Sequence, residues 1–212
     1  MGINYSPKIV TDGLVLYLDA ANPKSYPGSG TTWYDLSGNG AHAEAVSLPT
    51  FVAEGPQSYW LFDAIDDEFH SVDISQDYRD LFVIHNLTTT SIAMLFGHYN
   101  DLDDSLRFAS GYLRASGSTD INDWHYLQES DVYTNGNFNT AGVSNLNQWN
   151  FLRSYRGNES GFGTSFRYEI SSSFYDIRRY KGKINAIFCY NRKLSDEEVK
   201  QNFNALRGRF GI

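Results

Sequence analysis

Apolar and polar residues alternate along this chain in short runs, and clusters of Gly, Asn, Asp, Ser and Pro separate the runs. Period-two alternation over a handful of residues marks a strand with one face on a core. It predicts strands at Leu14–Ala20, Ser58–Ala64, Phe69–Ile74, Thr90–Tyr99, Ser105–Ala115, Trp124–Ser130, Gln148–Gly157, Thr164–Ser171 and Gly182–Asn191. Between the second and third of these, "DAIDDE" reads as a polar turn. From Asp101 to Asn147 turn residues crowd the pattern, and the register is open. Many short strands set apart by turn clusters point to a sandwich or barrel. No internal repeat or linker interrupts the series, so residues 1–212 are expected to form one domain.

The pattern changes period once, at the end, in "LSDEEVKQNFNALRGRFG". Val199, Phe203 and Leu206 fall on one face of a helix. Ser195 is placed as N-cap with Glu198 three residues on, a capping box, and Leu194 and Val199 are spaced for a hydrophobic staple. Asp196 and Glu197 suit the positive helix start and Arg207 its end. Gly208 is expected to supply the left-handed stop. The apolar face is narrow, which predicts a helix docked on a sandwich edge.

Composition supports a β-rich core. Of 212 residues 41% are apolar and 16% aromatic, with Tyr 15 and Phe 14, and aromatics fit pleated, half-buried surfaces. The net charge of −8, with only 17 Lys and Arg, argues against nucleic acid, which needs a basic stripe. "RRYKGK", from Arg178 to Lys183, reads instead as a solvated turn before a strand. Cys189 is the lone cysteine, so no internal disulfide forms; within "INAIFCYN" it is expected to be buried and inert. The N-terminus lacks the apolar stretch of a secretory signal. No run approaches the roughly 18 apolar residues of a membrane span.

Four stretches resemble a known family. "GLVLYLDAANPKSYPGSGTTWYDLSGNGAHA" is similar to the opening of laminin-G-like, concanavalin-A-like jelly-roll modules of phage and bacterial proteins. "YWLFDAIDDEFHSVDI" resembles the family's F-D-G-x-D-D-Y hairpin, with Ala64 where glycine is usual. "YKGKINAIFCYNRKLSDEEVKQNFNALRGRFG" resembles its terminal strand and helix, and "QWNFLRSYRGNESGFGTSFRYEI" loosely resembles its W-x-x-v-x-x-t-y strand pair. The resemblance implies an all-β fold, a two-sheet antiparallel jelly-roll sandwich with one short C-terminal helix. Some laminin-G-like and pentraxin-like relatives hold calcium with carboxylates near sheet-end loops; the positions that carry over are Asp63, Asp66 and Asp67. Those acids equally suit a hairpin turn whose backbone N–H groups they accept.

Candidate chemistry is sparse. Glycosidases need two carboxylates flanking the scissile bond; "ESDVYTN" offers Glu129 and Asp131 but no third acid in strand register, and also reads as a solvated polar turn. His42, His70, His85, His98 and His125 show no metal-ligand spacing. Asp101, Asp103 and Asp104 form a partial calcium-loop pattern without its central glycine. Trp33, Tyr34, Asp35 and Asn39 supply an aromatic and amide set that suits a sugar; they equally suit a structural role, with Trp33 plugging the sandwich end and Asp35 bonding the "SGNG" turn. The expected function is a non-enzymatic virion surface protein of a phage, a capsid decoration or tail-appendage module. Its expected partners are other virion proteins or sister subunits and host-surface glycans, with neither nucleic acid nor membrane. The alternative is a carbohydrate-binding lectin module of a bacterial surface protein, extracellular rather than on a virion made in the host cytoplasm.

Overall fold

The computed structural model describes residues 8–72, 78–89, 91, 93–98, 101–109, 112–115, 132–138, 145–155, 167–171 and 179–212. In chain order the strands are β1 Leu14–Asp19, β2 Thr32–Trp33, β3 Ala43–Ser47, β4 Thr50–Val52, β5 Tyr59–Asp63, β6 Glu68–Ser71, β7 Asp80–Leu87 and β8 Ala93–His98. They continue as β9 Asp101–Ala109, β10 Tyr112–Ala115, β11 Val132–Thr134, β12 Asn137–Phe138, β13 Asn150–Tyr155, β14 Tyr168–Ile170 and β15 Lys181–Tyr190, and the helix α1 spans Asp196–Leu206. The fold is the expected two-sheet antiparallel sandwich with one short C-terminal helix.

One sheet runs β12-β11-β13-β7-β15-β5-β4, with β1 also on β15; the other runs β10-β9-β8-β14-β6-β3-β2. Strand β15 is the hub of the first. One edge pairs with β7 along its length. The other edge pairs first with β5, Lys181 opposite Asp63, and then with β1, Phe188 opposite Tyr17. The change of partner falls at a register shift between Ile184 and Ala186. There Asn185, fully buried, donates from Nδ2 to the Ser58 carbonyl at 2.6 Å, and its own carbonyl accepts from Ala20 N at 2.8 Å.

Alternation along the strands builds two cores. Val83, Leu152, Ile184, Ile187 and Cys189 face the second sheet and meet Trp33, Phe69, Leu95, Phe96 and Ile170 there. Phe82, Phe151, Phe188 and Tyr190, on the opposite face of the same strands, meet Val199, Phe203 and Leu206 of α1. The helix therefore covers the outer face of the larger sheet and is not docked on an edge. Phe203 makes edge-on ring contacts with Phe151 at 5.4 Å and Tyr133 at 5.7 Å. A stripe one residue wide suffices because the sheet itself supplies the aromatic bed.

The helix start is as expected. Ser195 Oγ accepts from Glu198 N and Glu198 Oε2 accepts from Ser195 N at 2.8 Å. Glu198 also takes the Arg192 guanidinium at 2.6 and 2.8 Å, which holds its carboxyl at about 2. The stop differs. Arg207 is helical and begins a 3-10 turn through Arg209, and the left-handed residue is Gly211 at φ 70, not Gly208. Before the helix, Asp80 Oδ2 accepts from Leu194 N at 2.8 Å and from Arg153 Nη2 at 2.9 Å, with Arg153 Nε on Oδ1. This buried pair ties β7 and β13 to the start of the helical segment.

Three strand expectations change. Ser105–Ala115 is two paired strands, β9 and β10, with Ala109 opposite Tyr112. Of "ESDVYTN", Glu129–Asp131 lie outside the described residues and Val132–Thr134 form the buried strand β11, which Asn135 and Gly136 turn into short β12 at φ 46 and 96, the pair of positive φ values that an Asn-Gly hairpin turn uses. In "RRYKGK", Tyr180 is fully buried and Lys181 already belongs to β15. The run Trp124–Ser130 lies outside the described residues.

Candidate functional site

The loop after β1 turns its most conspicuous side chains inward. Trp33 is fully buried, 6.0 Å from the Trp60 ring and 5.7 Å from Phe69. Asp35 is a turn-former: Oδ1 accepts from Tyr17 N at 2.8 Å and Ser37 N at 2.9 Å, and Oδ2 from Ser37 Oγ at 2.7 Å and Ala41 N at 3.2 Å. Neither offers a face to a ligand. Tyr34 stays 41% exposed, edge-on to the His42 ring at 5.2 Å. Asn39 is exposed but bonds the Leu14 and Val15 carbonyls at 3.2 Å. Of the four residues grouped by sequence, Tyr34 and Asn39 alone reach solvent.

The turn between β5 and β6 brings its three acids together. Asp63, Asp66 and Asp67 each place a carboxylate oxygen within 4.8 Å of the others. Two of them also shape the turn, since Asp67 Oδ2 accepts from Asp63 N at 2.8 Å and Asp63 Oδ1 from Ile65 N at 2.7 Å. Burial raises the Asp67 pKa, and the charges of Asp63 and Asp66 add to it against the opposing bond from Asp63 N–H. Three clustered oxygens are a partial set for calcium, which takes six to eight.

The outer face of the smaller sheet carries a third arrangement. Thr32 lies opposite Glu44, Glu44 opposite His70, His70 opposite Glu169, and Glu169 opposite Gly97. Because directly opposed residues share a face, β2, β3, β6 and β14 present one polar row across the sheet. Thr32 Oγ1 donates to Glu44 Oε2 at 3.0 Å. His70 Nε2 lies 2.8 Å from Glu68 Oε1 and 3.4 Å from Glu169 Oε1, and Glu68 pairs with Arg179. Burial lowers the His70 pKa; Glu169 opposes this and Arg167 adds to it. Glu44, His70 and Arg167, with Val46 at 61% and Val72 at 51% exposure, line a groove of ≈ 430 Å³. Carboxylate acceptors, guanidinium donors and an apolar wall in one shallow groove suit a ligand rich in hydroxyls with apolar faces between them.

Sequence reasoning did not find this row. The signal was present in part, since His70 follows Phe69 in "FHS" and Glu169 stands between Tyr168 and Ile170 in "YEI", but which strands lie side by side was not legible. Glu129, Asp131 and His125 lie outside the described residues. Asp101, Asp103 and Asp104 fall within strand β9 rather than a loop. His85 is fully buried on Tyr180, and His42 Nδ1 accepts from Asp35 N at 3.0 Å. Among the described residues no helix is long and apolar enough to cross a membrane.

No protein-family model and no curated protein sequence matches the chain. Solved structures do. The chain is similar to domain 4 of AbnA, a GH43 extracellular arabinanase from Geobacillus stearothermophilus in complex with arabinotriose, at 12% identity over 91% of this chain and 98% of that one, TM-score 0.59. It is also similar to Trypanosoma rangeli sialidase in complex with sialic acid, at 14% identity over 97% of this chain and 36% of that one, TM-score 0.53. A third is the receptor-binding domain of botulinum neurotoxin C/D mosaic serotype, at 11% identity, 92% and 51% coverage and TM-score 0.52. The chain spans about a third of the sialidase's length. At these identities the likeness is one of fold.

Proposed function

We propose that this chain is a non-enzymatic glycan-binding jelly-roll module that holds its ligand in the groove lined by Glu44, His70 and Arg167. The observation that carries the reading is the groove itself: Glu44 and His70, opposite each other in register, with Arg167 beside them and exposed Val46 and Val72 as its wall, while Glu169 at the end of the row is buried. Glu44 accepts from hydroxyls, His70 and Arg167 donate to them, and the two valines meet sugar C–H faces. That a structural neighbour is a domain in complex with arabinotriose supports a sugar as the ligand class. The finer reading, a module displayed on the surface of a phage particle and joined there to other virion proteins, rests on the family resemblance of the two chain ends.

Titration calorimetry of the full chain against neutral and acidic oligosaccharides tests the binding. Shallow sheet-face sites bind weakly, so a Kd between about 10 µM and about 1 mM is expected. Glu44→Gln and His70→Ala are expected to weaken it tenfold or more, about 1.4 kcal/mol per factor of ten. Absence of binding across the panel, or binding indifferent to both changes, overturns the reading. Release of reducing sugar during the titration overturns its non-enzymatic part. Mass spectrometry of purified phage particles tests the virion placement.

A further inference from the structure

Two surfaces lie outside the glycan groove and match each other. The first is the β5–β6 turn. Its tip carries Ile65 at 76% exposure, the most exposed large apolar side chain among the described residues. Asp63 and Asp66, both exposed, flank it. It is an apolar knob in an acidic collar that Arg179 offsets in part at Asp66. The second is a groove of ≈ 590 Å³ where the segment before β1, the loop after it and α1 meet. Ile9, Leu14, Tyr17 and Leu36 form its floor, and Lys8, Lys24 and Arg209 stand at its rim. Arg209 is engaged by Asp19 at 2.9 Å, and among the described residues Lys8 and Lys24 have no ion-pair partner, on a chain whose net charge is −8. The knob is apolar and negative; the groove is apolar and positive.

The two cannot meet within one molecule. On the hub strand β15, the knob's strand ends at Asp63 opposite Lys181, while the groove residue Tyr17 lies opposite Phe188. Seven residues at about 3.3 Å each separate them by roughly 23 Å, and the turn projects away from the groove, beyond Asp63. We infer that the occupant of the groove is the β5–β6 turn of a second copy of this chain. Ile65 enters the floor, and Asp63 and Asp66 face Lys24 and Lys8. Because donor and acceptor are different surfaces at opposite ends, the contact is head-to-tail and repeats along a row of subunits unless the rotation closes a ring.

Sedimentation velocity on the full chain, with chelator present to keep the acids metal-free, tests this. In about 0.02 M salt the weight-average mass is expected to climb above the 24.0 kDa of one chain between about 10 µM and about 1 mM, and to fall back in about 0.5 M salt. Ile65→Ser and the double variant Lys8→Glu, Lys24→Glu are each expected to stay monomeric. Both change exposed side chains, and unchanged melting curves verify the fold. Mixing the two variants is decisive: one keeps an intact groove and the other an intact knob, so they form heterodimers and nothing larger. A constant single-chain mass for the unaltered protein, association by Ile65→Ser like that of the unaltered protein, or a mixture that stays monomeric overturns the inference. The last result includes pairing of like surfaces.

Discussion

Ala64 sits at φ 71 in the turn between β5 and β6, a left-handed conformation that costs an L side chain roughly 1–2 kcal/mol. The hairpin pattern that this turn resembles has glycine there, and the geometry explains the preference. Ala64→Gly is therefore expected to stabilise the protein by about 0.5–1 kcal/mol after glycine's larger loss of chain entropy is subtracted, measured as a higher urea midpoint at unchanged slope. His85 carries a different residue-scale consequence. It is fully buried with Tyr180 Oη 3.0 Å from Nδ1, and burial lowers its pKa to about 3. The unfolded chain binds its proton near pH 6.5 and the folded chain does not. Its contribution is thus complete above about pH 6.5 and is lost as pH falls toward 3, at up to about 1.4 kcal/mol per pH unit. His85→Gln, which keeps a partner for Tyr180, is expected to flatten the fall in urea midpoint between pH 6.5 and 4.5. An equal fall in both proteins would refute this.

At the scale of elements, the helix gives the sharpest comparison. Ser195→Ala removes one cap bond and is expected to cost about 0.5–2 kcal/mol. Phe203→Ala empties a place between Phe151 and Tyr133 and is expected to cost about 3–5 kcal/mol. The order, read from chemical denaturation, follows from the helix lying on an aromatic bed; a larger cost at the cap would mean that the bed holds it weakly. The same element shows what sequence made legible. Ser195, Glu198 and the Val199–Phe203–Leu206 stripe are local features, and local chemistry places them. That the stripe meets the outer face of the larger sheet is not local: Phe82, Phe151 and Phe188 come from distant parts of the chain and look, in sequence, like ordinary strand residues. The Asn135-Gly136 hairpin, by contrast, had a local signal that polar neighbours masked.

At the scale of the molecule, a candidate site was legible to the extent that it sits in one segment. The Trp33–Asn39 loop and the Asp63–Asp67 turn are contiguous, and both form the clusters their residue types suggest, but Trp33 and Asp35 face inward because their apolar and turn-forming roles dominate. The Glu44–His70–Glu169 row is assembled from three strands far apart in sequence and emerges only from their pairing. Calcium also belongs to this scale, since an ion bound only by the folded chain stabilises all of it. Asp63 and Asp67 already spend oxygens on the turn. The melting temperature in millimolar calcium is therefore expected to equal that in chelator. A rise with calcium that disappears in Asp66→Ala would instead assign the ion to the cluster.

Strand β15 is shared by β7, β5 and β1, and its Cys189 is 1% exposed in the core between the sheets. Burial, followed by the charges of Asp35 and Asp80, raises this thiol well above its ordinary pKa. It is thus shielded from alkylating reagents twice over, by access and by the scarcity of thiolate. The hub cannot open without releasing three strands at once, so reagent should reach the sulfur only when the sandwich as a whole comes apart. The rate of iodoacetamide labelling in native buffer is then a clock for global opening, and its free energy should equal that from denaturant. A markedly faster clock would mean that β15 breathes independently of the strands it joins.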